Sequence, residues 1–272
     1  MILNGDCLEL MKTLPDKSVD CFICDLPYGC LTNQKGESKR FERESHKGTN
    51  LEKKLANLSS SGCSWDIKID LEEFWKQIKR IRKNDHTPCL MFCNTKYGYE
   101  LIKSNEKEFR YDLVWDKCRG VSFLSANKMP MKSHEMVYVF SKASANYYRK
   151  DIEGDFPKSV AKNPRKTIQG ITLPNKLIDN TGKRCVLSII NSDGYNARHK
   201  GQHPTEKPID LYKFLIERYS NEGDTILDPT FGSGNSGLAS RELKRKYIGI
   251  EKDETFFKKF ENIWNVVIEN EN

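Results

Sequence analysis

Short apolar runs alternate with amphipathic stretches along most of this chain of 272 residues. Apolar residues recur at helical spacing in "DCLELMKTL", "LEEFWKQIKRIRK", residues 96–107, "IDLYKFLIERYS", "SGLASRELK" and "ETFFKKFENIWNVVIE", and Asp6 stands where it can cap the first of these. Strand-like runs lie at residues 19–24, "CLMFCN", "YDLVWDK", "HEMVYVFSK", "DTILDP" and "KYIGIE". This alternation predicts an α/β fold in which helices cover a mainly parallel sheet.

The apolar run at residues 19–24 ends in an unusual way, because Asp25, Leu26, Pro27 and Tyr28 follow it directly. A buried strand has no structural need for a carboxylate at its end. Open α/β sheets, however, place their ligands just beyond the carboxyl ends of their strands. The stretch from Asp25 to Tyr28 is therefore a candidate functional site.

A second candidate site lies in "DTILDPTFGSGNSG", which is typical of a strand, a glycine-rich turn and a helix. Gly232, Gly234 and Gly237 match the G-x-G-x-x-G pattern that lets a ligand approach the backbone at a helix N-terminus. Glu251 ends the next predicted strand, where a carboxylate can accept hydrogen bonds from ribose hydroxyls. Taken alone, this pattern fits a nicotinamide dinucleotide as well as other adenosine cofactors.

Two stretches interrupt the alternation. Residues 30–64 are polar and lysine-rich, and their position directly after Tyr28 favours a mobile flap over the site. The second interruption, residues 143–202, combines aromatic residues with basic ones. Between Lys142 and Lys200 there are twelve Lys or Arg against five Asp or Glu, an excess of seven that equals the net charge of +7 of the whole chain. A localised basic region of this kind indicates a polyanionic partner such as nucleic acid.

The composition, with 37% hydrophobic and 31% charged residues, is that of a soluble globular protein. No apolar run approaches the roughly 18 residues of a membrane span, and the N-terminus lacks the pattern of a secretory signal. We therefore expect a cytoplasmic protein without a membrane partner.

The nine cysteines do not form paired zinc knuckles, so we expect no metal site and mostly buried, reduced thiols. Cys21 and Cys24 should point to opposite faces of their strand.

Together, Asp25-Leu26-Pro27-Tyr28 and Asp228-Pro229-Thr230-Phe231-Gly232 resemble the two motifs of the S-adenosylmethionine-dependent amino-methyltransferases of DNA. The catalytic motif precedes the cofactor motif, which is the order of the β class of this family. "NGDCLELMKTLPDKSVD", "FLSANKMPMKSHEMVYVFSK" and "HPTEKP" match further elements of the class, so the resemblance covers nearly the whole chain. It implies a Rossmann-like methyltransferase fold that is circularly permuted, with a seven-stranded, mainly parallel sheet, helices on both faces and a basic target-recognition region.

The resemblance also implies a division of the chain. Residues 1–141 would form the catalytic half of the methyltransferase domain, residues 142–200 the target-recognition region, and residues 201–272 the cofactor-binding half. Two departures from the usual motifs stand out. Leu26 replaces the first proline, as in a D-L-P-Y-G subset of the family, and Asn235-Ser236 replace the usual Thr-Thr pair.

In the mechanism that the resemblance implies, Asp25 and the carbonyl of Leu26 or Pro27 accept hydrogen bonds from the amine of a flipped-out base, on which Tyr28 stacks. The catalytic residues are then Asp25, Leu26, Pro27 and Tyr28. The residues implied to bind S-adenosylmethionine are Asp6, Cys7, Asp25, His203, Lys207, Asp228, Phe231, Gly232, Ser233, Gly234, Asn235 and Glu251.

The resemblance also implies adenine N6 in double-stranded DNA as the acceptor, because in this family an aspartate at the first motif position usually goes with adenine N6. Cytosine N4 and adenine in RNA remain alternatives. A homodimer and a cognate restriction endonuclease are further expected partners.

Alternative functions explain less of the sequence. The interpretation as a nicotinamide-dependent dehydrogenase leaves Asp25 to Tyr28 without a role, and a cytosine-5 methyltransferase would need Cys89 as an accessible nucleophile. A non-catalytic DNA-binding module or an inactive homologue would show no methyl transfer.

Overall fold

The strand that ends beside Asp25 lies near the middle of a large sheet. The computed structural model describes residues 1–29, 66–121, 123, 126–153, 183–192 and 206–269. Its strands are β1 (Ile2–Asn4), β2 (Cys21–Cys24), β3 (Cys89–Cys93), β4 (Phe109–Val121), β5 (Lys132–Phe140), β6 (Ile152–Glu153), β7 (Lys183–Arg184), β8 (Ile189–Asn191), β9 (Thr225–Asp228) and β10 (Lys246–Glu251). The α-helices are α1 (Cys7–Lys12), α2 (Leu71–Ile81), α3 (Thr95–Ser104), α4 (Ile209–Tyr219), α5 (Asn235–Glu242) and α6 (Glu254–Glu269), and a short 3₁₀ helix spans Glu106–Glu108.

Polar side chains define where the first helices begin. The Asp6 carboxylate accepts a hydrogen bond from the amide of Leu8 at the start of α1, as the sequence predicted. Asp70 caps α2 in the same way, and the side-chain oxygen of Asn94 caps α3. Such caps satisfy amide groups that have no partner within the helix, and each stabilises its helix by about 1 kcal/mol.

Eight of the described strands form one sheet in the order β1-β10-β9-β2-β3-β5-β4-β8. Five of its seven neighbouring pairs are parallel, and the two antiparallel pairs are those that β5 makes with β3 and β4. The prediction of a mainly parallel sheet is confirmed. The sheet has one strand more than the expected seven. The pairing of β4 with β5 is irregular between Asp116 and Val121, where the register shifts.

Hydrophobic residues are buried on both faces of this sheet. One cluster contains Ile23 and Phe92 and packs against α4, α5 and α6, whereas the other contains Phe22 and Met91 and packs against α1, α2 and α3. Cys21 belongs to the first cluster and Cys24 to the second. The expected opposite orientation of these two thiols is therefore confirmed, because successive residues of a strand alternate between its faces.

Parts of the predicted organisation lie outside the described residues. This holds for residues 30–64, expected to form a flap, and for most of the basic region between Lys142 and Lys200. Within that region the structure describes the short antiparallel pair β6–β7 and the edge strand β8. The boundaries at residues 141 and 200 stay predictions. In the part of the chain that the structure describes, no helix has the length and apolarity needed to cross a membrane.

The glycine-rich turn between β9 and α5 packs tightly against α6. Gly234 caps α5 with a positive φ of 81°, a conformation that favours glycine. A Cβ atom at this position would lie 2.0 Å from the ring of Phe260, which is itself buried. The turn therefore depends on glycine both for its backbone conformation and for the space beside α6.

We expect Gly234→Ala to destabilise the protein by about 3 kcal/mol, measured as the free energy of unfolding in urea, because backbone strain adds to overpacking. Gly223 provides a matched control, since its φ is 82° but no atom lies within 4 Å of the place a Cβ would take. Gly223→Ala should cost only about 1 kcal/mol of backbone strain. Equal losses in the two variants would contradict the packing argument.

Candidate active site

The carboxyl ends of the parallel strands meet at one edge of the sheet and surround a cavity of about 620 Å³. Strand β2 leads into Asp25, β10 ends in Glu251, and β9 leads into Pro229 and Thr230, all of which line this cavity. Strand β5 runs in the opposite direction, so that its beginning, with Glu135, lies at the same edge. The topology thus brings together side chains that are far apart in the sequence.

Asp25 is held by groups on both sides of its carboxylate. The hydroxyl of Tyr28 donates a hydrogen bond of 2.8 Å to Oδ1, and the Lys207 ammonium donates one of 2.5 Å to Oδ2. The hydroxyl of Thr230 donates to the backbone carbonyl of Asp25 at 3.1 Å. The turn after β9 therefore contacts the Asp25-Leu26-Pro27-Tyr28 motif directly, and the orientation of the Asp25 carboxylate is fixed.

Lys207 is the centre of a buried cluster of charges. Its side chain is about 5% exposed, and its Nζ also lies 3.6 Å from Oε2 of Glu135. Oε1 of Glu135 accepts a hydrogen bond from Lys117 on β4. Burial by itself would lower the pKa of Lys207, but the carboxylates of Asp25 and Glu135 outweigh it and raise that pKa. Lys207 is thus held in its charged form.

The Tyr28 ring forms one wall of the cavity. Its centroid lies 5.2 Å from that of Tyr97 on α3, and the two rings are inclined by 30°. The next residue, Gly29, adopts a positive φ of 66°, and its amide donates to Asp66 at 2.8 Å. Burial and the neighbouring Asp25 carboxylate keep the pKa of Tyr28 well above its usual value. Tyr28 is therefore a neutral donor with an aromatic surface.

On the other side of the cavity, Glu251 ties the glycine turn to the end of β10. Its Oε2 accepts a hydrogen bond of 2.9 Å from the amide of Gly232, and its Oε1 accepts one of 2.8 Å from the amide of Asp253. Burial raises the pKa of Glu251. Nearby, Asp6 forms an ion pair of 3.0 Å with Lys252. Each carboxylate oxygen of Glu251 keeps a second lone pair with which to accept a hydrogen bond.

Asp228 lies behind the cavity and supports the glycine turn. Its Oδ1 accepts from the amide of Thr230 at 3.0 Å, and its Oδ2 accepts from the hydroxyl of Ser236 at 2.6 Å. The hydroxyl of Ser236 also lies 2.9 Å from that of Tyr247. Because Asp228 is only 1% exposed, burial raises its pKa to about 7, despite these hydrogen bonds.

Most of the sequence-predicted site residues converge on the cavity. Those that line it are Asp6, Cys7, Asp25, Leu26, Pro27, Tyr28, Lys207, Phe231, Gly232, Ser233 and Glu251. Asp228 and Gly234 contribute from behind, through the turn. The side-chain amide of Asn235 donates to Glu206 and to the backbone carbonyl of Lys207, both at 2.8 Å, and so connects the glycine turn to the end of the "HPTEKP" segment. His203 lies outside the described residues, and its role stays a prediction.

Sequence reasoning missed Glu135 and Lys117. A signal for Glu135 was present in "HEMVYVF", because alternation places it on the same face as the buried Val137 and Val139. A carboxylate on a core-facing position needs a charged partner, and its surroundings then become candidates for a site. The partner, Lys117, is brought close by the β4–β5 pairing, which the sequence does not reveal.

The raised pKa of Asp228 makes the stability of the protein depend on pH. The folded state binds this proton more tightly than the unfolded chain, so stability from this group is present at low pH and is lost as pH rises towards about 7. Asp228→Asn removes that dependence. We therefore expect the difference in unfolding free energy, variant minus wild type, to rise by roughly 2 kcal/mol between pH 5 and pH 7 in urea titrations.

Ser236→Ala is the control for this measurement, because it removes a hydrogen bond to Asp228 but leaves the carboxyl group. It should still show a decline of stability with pH, moved to higher pH, because the lost hydrogen bond lowers the pKa of Asp228 in the wild type. A decline that persists in Asp228→Asn would show that another group is responsible.

Comparisons with known proteins bear on this arrangement. Residues 19–262 match the model of a protein family described as DNA methylase. The type II methyltransferase M.XycI of Xanthomonas campestris pv. cyanopsidis is 30% identical over 274 residues, which cover 92% of this chain and 82% of that protein. M.HinfI of Haemophilus influenzae is 28% identical over 94% of this chain. The chain spans 65% of the length of M.HinfI and 43% of that of M.SmaI from Serratia marcescens.

Solved structures share the fold. The structure described as an M1.HpyAVI–SAM complex superposes with a TM-score of 0.55 at 19% identity and covers 96% of this chain and 97% of its own. PvuII DNA methyltransferase, described as cytosine-N4-specific, gives a TM-score of 0.58 at 16% identity over 93% of this chain and 81% of its own. The predicted Rossmann-like methyltransferase fold is confirmed, whereas the D-L-P-Y-G subset stays a prediction. Since the family match includes both motifs and most of the chain, this protein belongs to the N6/N4 DNA methylase family.

Proposed function

We propose that this protein transfers a methyl group from S-adenosylmethionine to the exocyclic amino group of a base in double-stranded DNA, and that the acceptor is adenine N6. The observation that carries this proposal is the single cavity lined by both motifs, with Asp25 and Tyr28 on one side and Gly232 and Glu251 on the other. A family of DNA methylases and type II methyltransferase relatives support the same activity.

The residues around Glu251 fit the adenosine part of this cofactor. Glu251 has two carboxylate oxygens fixed by backbone amides, each with a lone pair left for a ribose hydroxyl. Phe231 supplies an aromatic surface beside the glycine turn, and Asp6 and Cys7 line the same part of the cavity. When bound, S-adenosylmethionine supplies an electrophilic methyl group on a positively charged sulfur.

Asp25 and Tyr28 suit the acceptor side of the reaction. An exocyclic amine is a poor nucleophile because its lone pair is delocalised into the ring of the base. A fixed carboxylate can accept a hydrogen bond from that amine, localise the lone pair and stabilise the positive charge that develops on nitrogen. Tyr28 offers its ring for stacking, and Pro27 limits the backbone between the two residues. The base has to leave the duplex to reach them.

The choice of adenine N6 rests on the sequence motif. An aspartate at the first motif position goes with adenine in the resemblance described above, and Asp25 occupies that position. The PvuII enzyme, described as cytosine-N4-specific, has a similar fold, so the fold does not select the base. Cytosine N4 is therefore the outcome that would revise this part of the proposal.

The partners follow from the same function. Double-stranded DNA accounts for the basic excess between Lys142 and Lys200, where phosphate contacts would add salt-dependent affinity. The relatives are type II methyltransferases, and for this reason we include a cognate restriction endonuclease in the proposal. A homodimer remains a prediction from the resemblance.

Glu251→Gln should weaken binding of S-adenosylmethionine about tenfold in isothermal titration calorimetry, because charge-assisted hydrogen bonds to the ribose become neutral ones. Glu254→Gln is a matched control, since Glu254 begins α6 and pairs with exposed Lys258. It should bind like the wild type. Unchanged affinity in Glu251→Gln would remove Glu251 from the cofactor site.

The proposed reaction is tested with S-adenosylmethionine that carries a deuterated methyl group, unmodified plasmid DNA and nucleoside mass spectrometry. The wild type should produce labelled N6-methyladenine. Asp25→Ala should lower the rate by about 100- to 1000-fold while cofactor affinity is largely kept, since its main loss is in the transition state. Labelled N4-methylcytosine would overturn the base assignment. No labelled product from the wild type, with DNA or RNA, would overturn the proposed activity.

A further inference from the structure

The buried lysine of the "HPTEKP" motif contacts the catalytic motif as well as lining the cofactor cavity. Lys207 Nζ lies 2.5 Å from Asp25 Oδ2 and 3.6 Å from Glu135 Oε2, so one ammonium group is shared between two carboxylates. The shorter contact is a charge-assisted hydrogen bond, and the longer one is an ion pair without hydrogen-bond geometry. This asymmetry indicates that Lys207 holds Asp25 more firmly than Glu135.

One backbone contact and one side-chain contact keep Lys207 in this position. The side-chain amide of Asn235 donates to the Lys207 carbonyl at 2.8 Å, and Nζ lies 5.3 Å from the centroid of the Phe92 ring. Lys207 is only 4% exposed, so its ammonium group is shielded from water. The ammonium group is therefore a fixed part of the site.

Without this cation, two largely buried carboxylates would remain that both lie within 3.6 Å of the place of its ammonium group. Like charges at short distance in a protein interior favour binding of one proton by the pair. A protonated Asp25 would be a weaker hydrogen-bond acceptor for the incoming amine and could not stabilise positive charge on it. The site thus needs a cation beside Asp25 that leaves at least one lone pair of the carboxylate available to accept a hydrogen bond from the amine.

We propose that Lys207 is a positioning residue that keeps Asp25 ionised and orients its Oδ2 towards the amine, and that Glu135 limits how far Lys207 neutralises Asp25. This inference rests on the proposed function and adds to it two residues of the acceptor side. Oδ2 retains a second lone pair while Lys207 donates to the first. Lys117, on the far oxygen of Glu135, completes a cluster of two positive and two negative charges.

Other titratable groups face this cluster from the neighbouring elements. They are Cys93 of β3, Tyr97 of α3, Lys132 of β5, Tyr212 of α4, Asp228 of β9 and Tyr28 itself. Burial raises the pKa of the thiol and of the phenols, so these groups are neutral near pH 7. Asp228, with a pKa of about 7, titrates in every variant that keeps it and therefore does not explain differences among them.

The test compares Lys207→Met with the wild type by two measurements on the full chain. The first is the pH dependence of kcat for methyl transfer to DNA. At pH 7 kcat should fall about 100-fold, and the acid side of its pH profile should move up by about one to two pH units. The second is the titration of the Asp25 carboxyl carbon by NMR with ¹³Cγ-labelled aspartate, which should move in the same direction.

Glu135 supplies a second, independent variant, and the double variant joins the two. Glu135→Gln should move the acid side of the profile to lower pH, because Lys207 then pairs with Asp25 alone. In the double variant Lys207→Met/Glu135→Gln, the acid side of the pH profile should move up much less than in Lys207→Met alone. The reason is that the second carboxylate, Glu135, is then absent. If Lys207 had a purely structural role, the losses of kcat in the two single variants would add up in the double variant. Neither the pH profile of kcat nor the NMR titration of Asp25 would then move, and that result would overturn the inference.

Lys213→Met is the matched control for the loss of a lysine, because Lys213 lies on α4 and pairs with Glu242 away from the cavity. It should keep the wild-type profile. If Lys207→Met does not fold, a Glu135→Gln profile that is unmoved or raised still overturns the inference. If the wild type transfers no methyl group, the proposed function fails, while the NMR titrations still support or overturn the role of Lys207 in holding Asp25.

Discussion

The parallel arrangement of the central strands concentrates negative charge at one edge of the sheet, and the rest of the site compensates for it. Asp25, Asp228 and Glu251 all come from the ends of neighbouring parallel strands, and Glu135 joins them from the start of β5. Four carboxyl groups in a poorly solvated region would repel one another and lose hydration. The structure stabilises each of them in a different way.

These differences assign different tasks to chemically similar groups. Asp25 is paired with a buried ammonium, and its charge is available to a ligand. Glu251 is held by backbone amides, which orient it without neutralising it. Asp228 has only neutral donors, so burial raises its pKa to about 7 and makes it a support for the turn. The surroundings of each carboxyl group, and not its residue type, determine what it can do.

Much of this site could be predicted from the sequence, because both motifs are local. Only a few consecutive residues are needed to recognise the strand that leads into Asp25, the glycine turn, or the strand that ends in Glu251. The alternation of helices and strands then predicts that the ends of these strands meet at one edge of the sheet. Glu135 and Lys117 could not be found in this way. Their proximity depends on the antiparallel pairing of Trp115 with Glu135, which is a tertiary property.

The two strands at the edges of the sheet, β1 and β8, are absent from the strand-like runs of the sequence for a related reason. Strand β8 has only three residues, and it is defined by its pairing with Val114 to Asp116 rather than by its own pattern. The number of strands in the sheet therefore depended on a long-range contact. In contrast, the orientation of Cys21 and Cys24 followed from the two-residue period of a strand and needed no knowledge of the fold.

The irregular pairing between Asp116 and Val121 has a consequence for how proteins of this architecture can change during evolution. Glu135 lies in the regular part of the β4–β5 ladder, where it pairs with Trp115, and Lys117 is the first residue of β4 after the last regular pair, Asp116 with His134. Between this pair and the next one, Val121 with Lys132, the register shifts, so that β4 contains more residues than β5. Insertions or deletions on the far side of Lys117 can therefore be absorbed by this irregular stretch, so that the outer part of the hairpin can diversify while the pairing of Trp115 with Glu135 is preserved.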